Sequence, residues 1–124
     1  MPKKDALNWF EIQVADFDRA KRFYDSILQT TLTDVASPTC RMGIFPYEAN
    51  GGIGGSIAHR PEAKPGASGT VVYLNVEGDL EGVLGRIPAS GGKVVQPKLA
   101  IGEHGFIGIF QDTEGNVVGL HSLR

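Results

Sequence analysis

With one cysteine in 124 residues, Cys40, the chain can form no intramolecular disulfide and no zinc site built on paired thiolates. That usage fits a reducing compartment, and a cytoplasmic location is expected. Long hydrophobic runs are missing too. No stretch reaches the roughly 20 apolar residues that a membrane-crossing helix needs, and the opening Met1-Pro2-Lys3-Lys4-Asp5 leads into charged and aromatic residues rather than an apolar signal segment. Nor does charge of one sign dominate: the formal net charge is -2 with both signs interleaved. Without a basic stripe to track phosphates, nucleic acid is not an expected partner. The length fits one domain over residues 1–124, which buries roughly two thirds of its unfolded surface and needs no covalent staple.

What the chain has in excess is glycine. Seventeen glycines are about twice the average share, which points to tight turns and close strand approaches rather than a helical bundle.

Residues 8–14 alternate as a strand does, with Phe10, Ile12 and Val14 on one face and Trp9, Glu11 and Gln13 on the other. Asp16 then reads as a helix N-cap, with Asp18 in the first turn where the helix dipole favours an anion. Ala20, Phe23, Tyr24, Ile27 and Leu28 follow at helical spacing and form one buried stripe. Strands are expected over residues 31–35, 41–47 and 53–59, the last two joined by a turn at Asn50-Gly51-Gly52. Residues 60–68 carry no periodicity and read as a linker.

After the linker the order restarts. Residues 70–76 alternate, with Val71, Tyr73 and Asn75 on one face and Val72, Leu74 and Val76 on the other. Residues 79–90 fit a helix with Leu80, Val83, Leu84 and Ile87 inward, stopped by Gly91-Gly92. Strands fit residues 93–97, 105–111 and 116–122, the last two joined by Asp112-Thr113-Glu114-Gly115. The pattern β-α-β-β-β therefore occurs twice, in a first module of about residues 6–60 and a second of about 69–124. This predicts an α+β fold in which each helix covers one sheet face. The bare faces of a curved mixed sheet then enclose a cleft.

At this point the residues resemble a known family. Phe10-Glu11-Ile12-Gln13-Val14-Ala15-Asp16 followed by Arg19-Ala20-Lys21-Arg22-Phe23-Tyr24 is similar to the opening of vicinal-oxygen-chelate domains, the glyoxalase, bleomycin-resistance and extradiol-dioxygenase superfamily. Gly91-Gly92-Lys93-Val94-Val95 and Asp112-Thr113-Glu114-Gly115-Asn116 resemble its later landmarks, the second with threonine where the family has proline. The resemblance implies paired βαβββ modules around a cavity, where the family's enzymes hold a divalent metal that chelates two substrate oxygens. Carried over, its ligand positions fall on Trp9, Val71, Gly119 and a residue near Gly55 or Ser56. Indole only donates hydrogen bonds, and valine and glycine offer no side-chain lone pair. No metal or other cofactor is therefore expected. The one rearranged metal site that can be drawn, from Glu11, His59 and His121, lacks a ligand spacing.

Strand parity still identifies the cleft lining as Trp9, Glu11 and Gln13, with Val71, Tyr73, Asn75, Val117, Gly119 and His121 from the second half. Setting Val71 beside Gly119 puts Tyr73 beside His121. Glu11, Tyr73, Asn75 and His121 form the expected polar lining and Trp9 an aromatic wall, while Gly54, Gly55 and Gly119 leave space for a ligand. Each residue also has a structural reading. Glu11 can be a solvated strand residue and His121 a histidine bonded to Tyr73 or to backbone. Trp9 and Tyr73 can be core or interface aromatics, Asn75 can satisfy a strand end, and Cys40 reads as a buried thiol.

Ser56 lacks a nucleophile-elbow context, and the glycines at 51–55 precede no phosphate-binding helix. Two functions follow. The first is a metal-free module that binds a small organic molecule. The second is a lyase, isomerase or dioxygenase-type enzyme, using Glu11 and His121 as acid and base or relocated metal ligands. A homodimer is expected in either case.

Overall fold

The computed structural model describes residues 2–124. Alternation at the start produces β1 (Trp9–Gln13). The chain then turns at Asp16, whose carboxylate accepts the Arg19 N–H at 3.0 Å and opens α1 (Phe17–Leu28). This helix buries Phe17, Ala20, Phe23, Tyr24 and Ile27, and closes on Gln29 in the left-handed region (φ 52°). β2 (Thr33–Ala36), β3 (Arg41–Ile44) and β4 (Gly54–His59) complete the first module. The second repeats it as β5 (Tyr73–Asn75), α2 (Leu80–Ser90), β6 (Lys93–Ala100), a single 3-10 turn (Gly102–His104), β7 (Phe106–Gln111) and β8 (Val117–Ser122). α2 buries Leu80, Val83, Leu84 and Ile87 and stops at Gly91 (φ 105°).

The strands pair as two four-stranded sheets, β1-β4-β3-β2 and β5-β8-β7-β6, each with one parallel contact between its first and last strands. The α+β architecture with duplicated modules is therefore the one the sequence predicts. A single core cluster runs through both modules, and the two helices pack on each other within it. Phe110 of β7 lies 5.8 Å from the Phe23 ring and 6.2 Å from the Tyr24 ring.

Several strand boundaries differ from expectation: β2 runs over Thr33–Ala36 rather than 31–35, β3 stops at Ile44 and leaves Pro46 and Tyr47 outside it, and β5 and β6 differ in the second module. β6 runs past Pro97 to Ala100, because on an edge strand the missing proline N–H can face away from the sheet; the register shifts between Val94 and Leu99 take up the irregularity. β5 is shorter than residues 70–76, although Val72 still accepts the Gly119 N–H at 2.8 Å.

The register corrects a further expectation. Tyr73 lies beside Gly119 and Asn75 beside His121, two residues from the predicted pairing of Val71 with Gly119. The faces are as predicted, because a two-residue slip preserves parity. The module repeat explains the true register. In both halves the residue after the first strand is tied to the last strand at 3.0 Å, Val14 N–H to the Ala58 carbonyl and Val76 N–H to that of His121. Tyr73 and Gly119 in the second module thus match Glu11 and Ser56 in the first.

Aromatic rings fill the space that glycines leave. A Cβ on Gly55 would lie 2.2 Å from the Phe10 ring, one on Gly119 2.3 Å from the Tyr73 ring, and one on Gly54 2.6 Å from the Tyr47 ring. The sequence reading has these glycines leaving space for a ligand; the space beside their Cα atoms is taken by the protein's own rings, while Gly54 and Gly55 still border the large cavity described below.

The modules are joined at the turn between β7 and β8. Glu114 Oε1 accepts the backbone N–H groups of Ala15 and Asp16 at 3.0 and 2.8 Å, and Arg19 donates two hydrogen bonds to the same carboxylate. Buried Asp112 accepts the Tyr24 hydroxyl at 2.7 Å, and the Asn116 side chain donates to the Gln13 carbonyl at 2.7 Å. Burial pushes the Glu114 carboxyl up, but Arg19 and the Asp16 N–H outweigh it and hold it at about 2 against an ordinary 4.5.

Because the folded value is the lower, this stability is complete above pH 4.5 and is lost as pH falls towards 2. The Glu114 side chain has no exposed area but its partner Arg19 is half exposed, so solvent screening trims the linkage loss to at most about 2 kcal/mol by pH 3. Urea unfolding should show that loss between pH 6 and pH 3 in the parent, and a smaller one in Glu114→Gln; equal losses would refute the assignment. Phe10 is stacked on buried Phe45 at 5.7 Å, whereas Tyr73 is 46% exposed and can swing away. Gly55→Ala should cost about 2–3 kcal/mol and Gly119→Ala about 1 kcal/mol or less, read by urea midpoints.

Candidate functional site

β1 and β5 are the first strands of their sheets and are not paired with each other. Between them lies an open cavity of about 1350 Å³. β1 supplies Trp9, Phe10 and Glu11, and the second module supplies Val71, Tyr73 and Asn75. The segment before β4 adds Tyr47, whose ring meets Trp9 edge to face at 5.8 Å and 81°. The polar rim includes Glu77 and Asp79.

The sequence-predicted residues divide between two places. Trp9, Glu11, Tyr73 and Asn75 line the large cavity. His121 does not; it lines a smaller one of about 480 Å³ with Tyr73, Asn75, Glu77 and Leu123. Tyr73 and Asn75 therefore border both cavities, while Glu11 and His121 border different ones. Gln13 and Gly119 line neither.

Their chemistry is constrained by neighbours. Arg60 Nε and Nη2 donate to the two oxygens of Glu11 at 3.2 and 2.8 Å. That pairing holds Glu11 below the usual carboxylate range, so it is an anion with its charge already matched. His121 Nε2 lies 2.6 Å from the His104 carbonyl; since a carbonyl only accepts, this nitrogen carries the proton. His59 Nδ1 is likewise 3.0 Å from the Val14 carbonyl. Asn75 Oδ1 accepts the Glu77 N–H at 3.0 Å and closes the turn into α2. The structural readings of His121 and Asn75 thus describe real contacts.

The ligand positions implied by the resemblance do not fit a metal. Trp9 is engaged with Tyr47, Val71 and Gly119 have no donor atom, and Ser56 supplies one buried hydroxyl. Among the described residues no three His, Cys, Asp or Glu side chains converge as a metal site would require, which also leaves Glu11, His59 and His121 apart as a relocated set.

Sequence reasoning missed two residues. Tyr47 follows Pro46 outside β3, but the turn closed by the Gly52 N–H on the Glu48 carbonyl folds it back over Gly54. Arg60 was placed in the linker by its lack of periodicity, yet it is the first residue beyond β4 and reaches back over β1.

Comparison with known proteins agrees with the architecture. The family model described as the Glyoxalase/Bleomycin resistance protein/Dioxygenase superfamily matches residues 6–120. Proteins named "Putative glyoxylase CFP32" from Mycobacterium bovis and Mycobacterium tuberculosis are 29% identical over 128 residues, covering 97% of this chain and 48% of theirs. The chain thus spans about half the length of these curated relatives. Among solved structures, a glyoxylase/bleomycin resistance protein/dioxygenase domain from Frankia sp. EAN1pec superimposes with a TM-score of 0.71 at 18% identity, over 98% of this chain and 100% of that one. A glyoxalase/bleomycin resistance protein from Catenulispora acidiphila DSM 44928 does so with a TM-score of 0.63 at 22% identity, over 96% and 100%. With nearly its whole length matched by that family model, this chain belongs to the Glyoxalase/Bleomycin resistance protein/Dioxygenase superfamily.

Proposed function

We propose that this domain binds a small organic molecule with a flat apolar part in the cavity between β1 and β5, without a metal. The observation that carries this reading is the lining. Trp9, Tyr47 and Tyr73 present aromatic surface to one open cavity, and Tyr47 and Tyr73 are each 46% exposed there. Large half-exposed rings bordering a concavity are the usual walls of a small-molecule site, and here Glu11, Asn75, Glu77 and Asp79 stand among them as polar groups that can orient a guest. Its volume of about 1350 Å³ exceeds a typical closed pocket, because the cavity lies open between two sheets that are not paired along this edge.

A second reading, an enzyme of lyase, isomerase or dioxygenase type, has the name of the mycobacterial relatives in its favour. Against it stands the separation of the candidate acid and base. A reaction shared by Glu11 and His121 needs both to reach one substrate, and they border different cavities, with both Glu11 oxygens held by Arg60 and His121 turned by its Nε2 towards the His104 carbonyl.

A thermal-shift screen of small aromatic compounds in buffer containing a chelator tests the binding reading. Compounds that raise the melting temperature should bind at least about tenfold more weakly to Trp9→Ala and to Tyr73→Ala, the equivalent of about 1.4 kcal/mol. Ligands indifferent to both substitutions, or seen only when metal is restored, would reverse the ordering of the two readings.

A further inference from the structure

Among the described residues, two buried side-chain polar atoms have no hydrogen-bond partner: Gln13 Oε1 and Ser56 Oγ. They are not scattered. Gln13 is two residues along β1 from Glu11, on the same face, and Ser56 lies directly beside Glu11 on β4. The Ser56 side chain is fully buried. Exchanging the amide oxygen and nitrogen of Gln13 would not relieve it. The nitrogen now lies 3.4 Å from Glu11 Oε1, and an oxygen there would face a carboxylate.

These atoms make a set of acceptors: a carboxylate, an amide oxygen and a hydroxyl on adjacent strands. Of the three, only the Glu11 carboxylate is engaged by the Arg60 guanidinium; Gln13 Oε1 and Ser56 Oγ are left unmatched. Arg60 is tethered: it leaves the end of β4 and spends Nε and Nη2 on the Glu11 carboxylate, donating to neither Gln13 Oε1 nor Ser56 Oγ. Its side chain is 32% exposed, and rotation alone can carry it into solvent.

We propose that Glu11, Gln13 and Ser56 form a subsite for the planar cationic head of a small guanidinium or amidinium compound, a place that Arg60 fills in its absence. A free guanidinium carries the same donors in the same fork without the tether. It can therefore satisfy the carboxylate together with the two orphaned acceptors. The ligand's remaining body would lie towards Trp9, on the same strand face and at the wall of the large cavity. The inference rests on the cavity being a binding site, and it adds the charge and shape of one end of the guest.

Trp9 is the chain's sole tryptophan and lies two residues from Glu11, so its fluorescence reports on this face. The experiment titrates the parent and Arg60→Met with methylguanidinium chloride, against sodium chloride of equal ionic strength. Arg60→Met keeps the aliphatic stem and removes the donors; Arg60→Ala is the second variant should the first misfold. A saturable change in Arg60→Met, with a Kd at least tenfold below the parent's and abolished by adding Glu11→Gln, is the expected result. No saturable binding, equal affinity for parent and variant, or indifference to Glu11→Gln would overturn the proposal. Neutral 1-naphthol is titrated in parallel. Its binding while methylguanidinium fails refutes the cation subsite and leaves the aromatic cavity standing, whereas failure of both refutes the two readings together.

Discussion

The turn from Asp112 to Asn116 holds the two modules in their relation, and the rest of the structure depends on it. Its side chains act inward and across. Asp112 takes the Tyr24 hydroxyl in the core, Glu114 caps the exposed N–H groups where β1 turns into α1, and Asn116 bridges the Gln13 carbonyl and the Gly66 N–H of the linker. A helix N-terminus carries unsatisfied donors and partial positive charge, so a buried carboxylate there is doubly matched. The Asp-x-x-Gly-Asn pattern is thus a joint with a physical reason for each polar position, and its glycine supplies the positive φ of 86° that the reversal needs.

The pseudo-symmetric contact does not form, and that asymmetry makes the cavity. The corresponding elements are the turn before β4 and the corner from β5 into α2. Gly51 and Ile53 from the first, and Asn75, Glu77 and Asp79 from the second, all line the open space. No hydrogen bond joins them among the described residues. The corner instead bonds within its own module, to the end of β8: Ser122 Oγ accepts the Gly78 N–H and the Glu77 carboxylate accepts the Leu123 N–H. Two modules stitched at one such junction and left open at the other give a cavity walled by the edges of both first strands.

The fold was legible in the sequence because its signals are local and duplicated. The alternation at Trp9–Gln13, the Asp16 cap and the helical stripe from Ala20 to Leu28 each survive without knowledge of the partner. Facing residues were legible for the same reason: parity belongs to one strand. Neighbours across strands were not, since register depends on what fits beside what, and Tyr73 beside Gly119 is set by a ring occupying the place of an absent Cβ. The charge state of Glu11 was hidden for a related reason. Its partner lies 49 residues away at Arg60, in a stretch with no periodicity to assign it a direction.

That division also separates scaffold from specificity. The repeated positions supply strands, helices and parity, and at the places where the family resemblance implies metal ligands they now carry indole, isopropyl, hydroxyl and no side chain at all. Such groups can shape a surface but cannot assemble the donor set of a tetrahedral or octahedral ion. Trp9 and Tyr73 stand on the repeated first strands, but two residues that bear on this face, Tyr47 on the cavity wall and Arg60 on Glu11, come from outside the strands, one from the segment after β3 and one just beyond β4. Neither has a counterpart imposed by duplication, so each can change without disturbing the core or the joint at Asp112–Asn116. A domain built this way can vary its ligand through non-repeated segments while the paired modules stay the same.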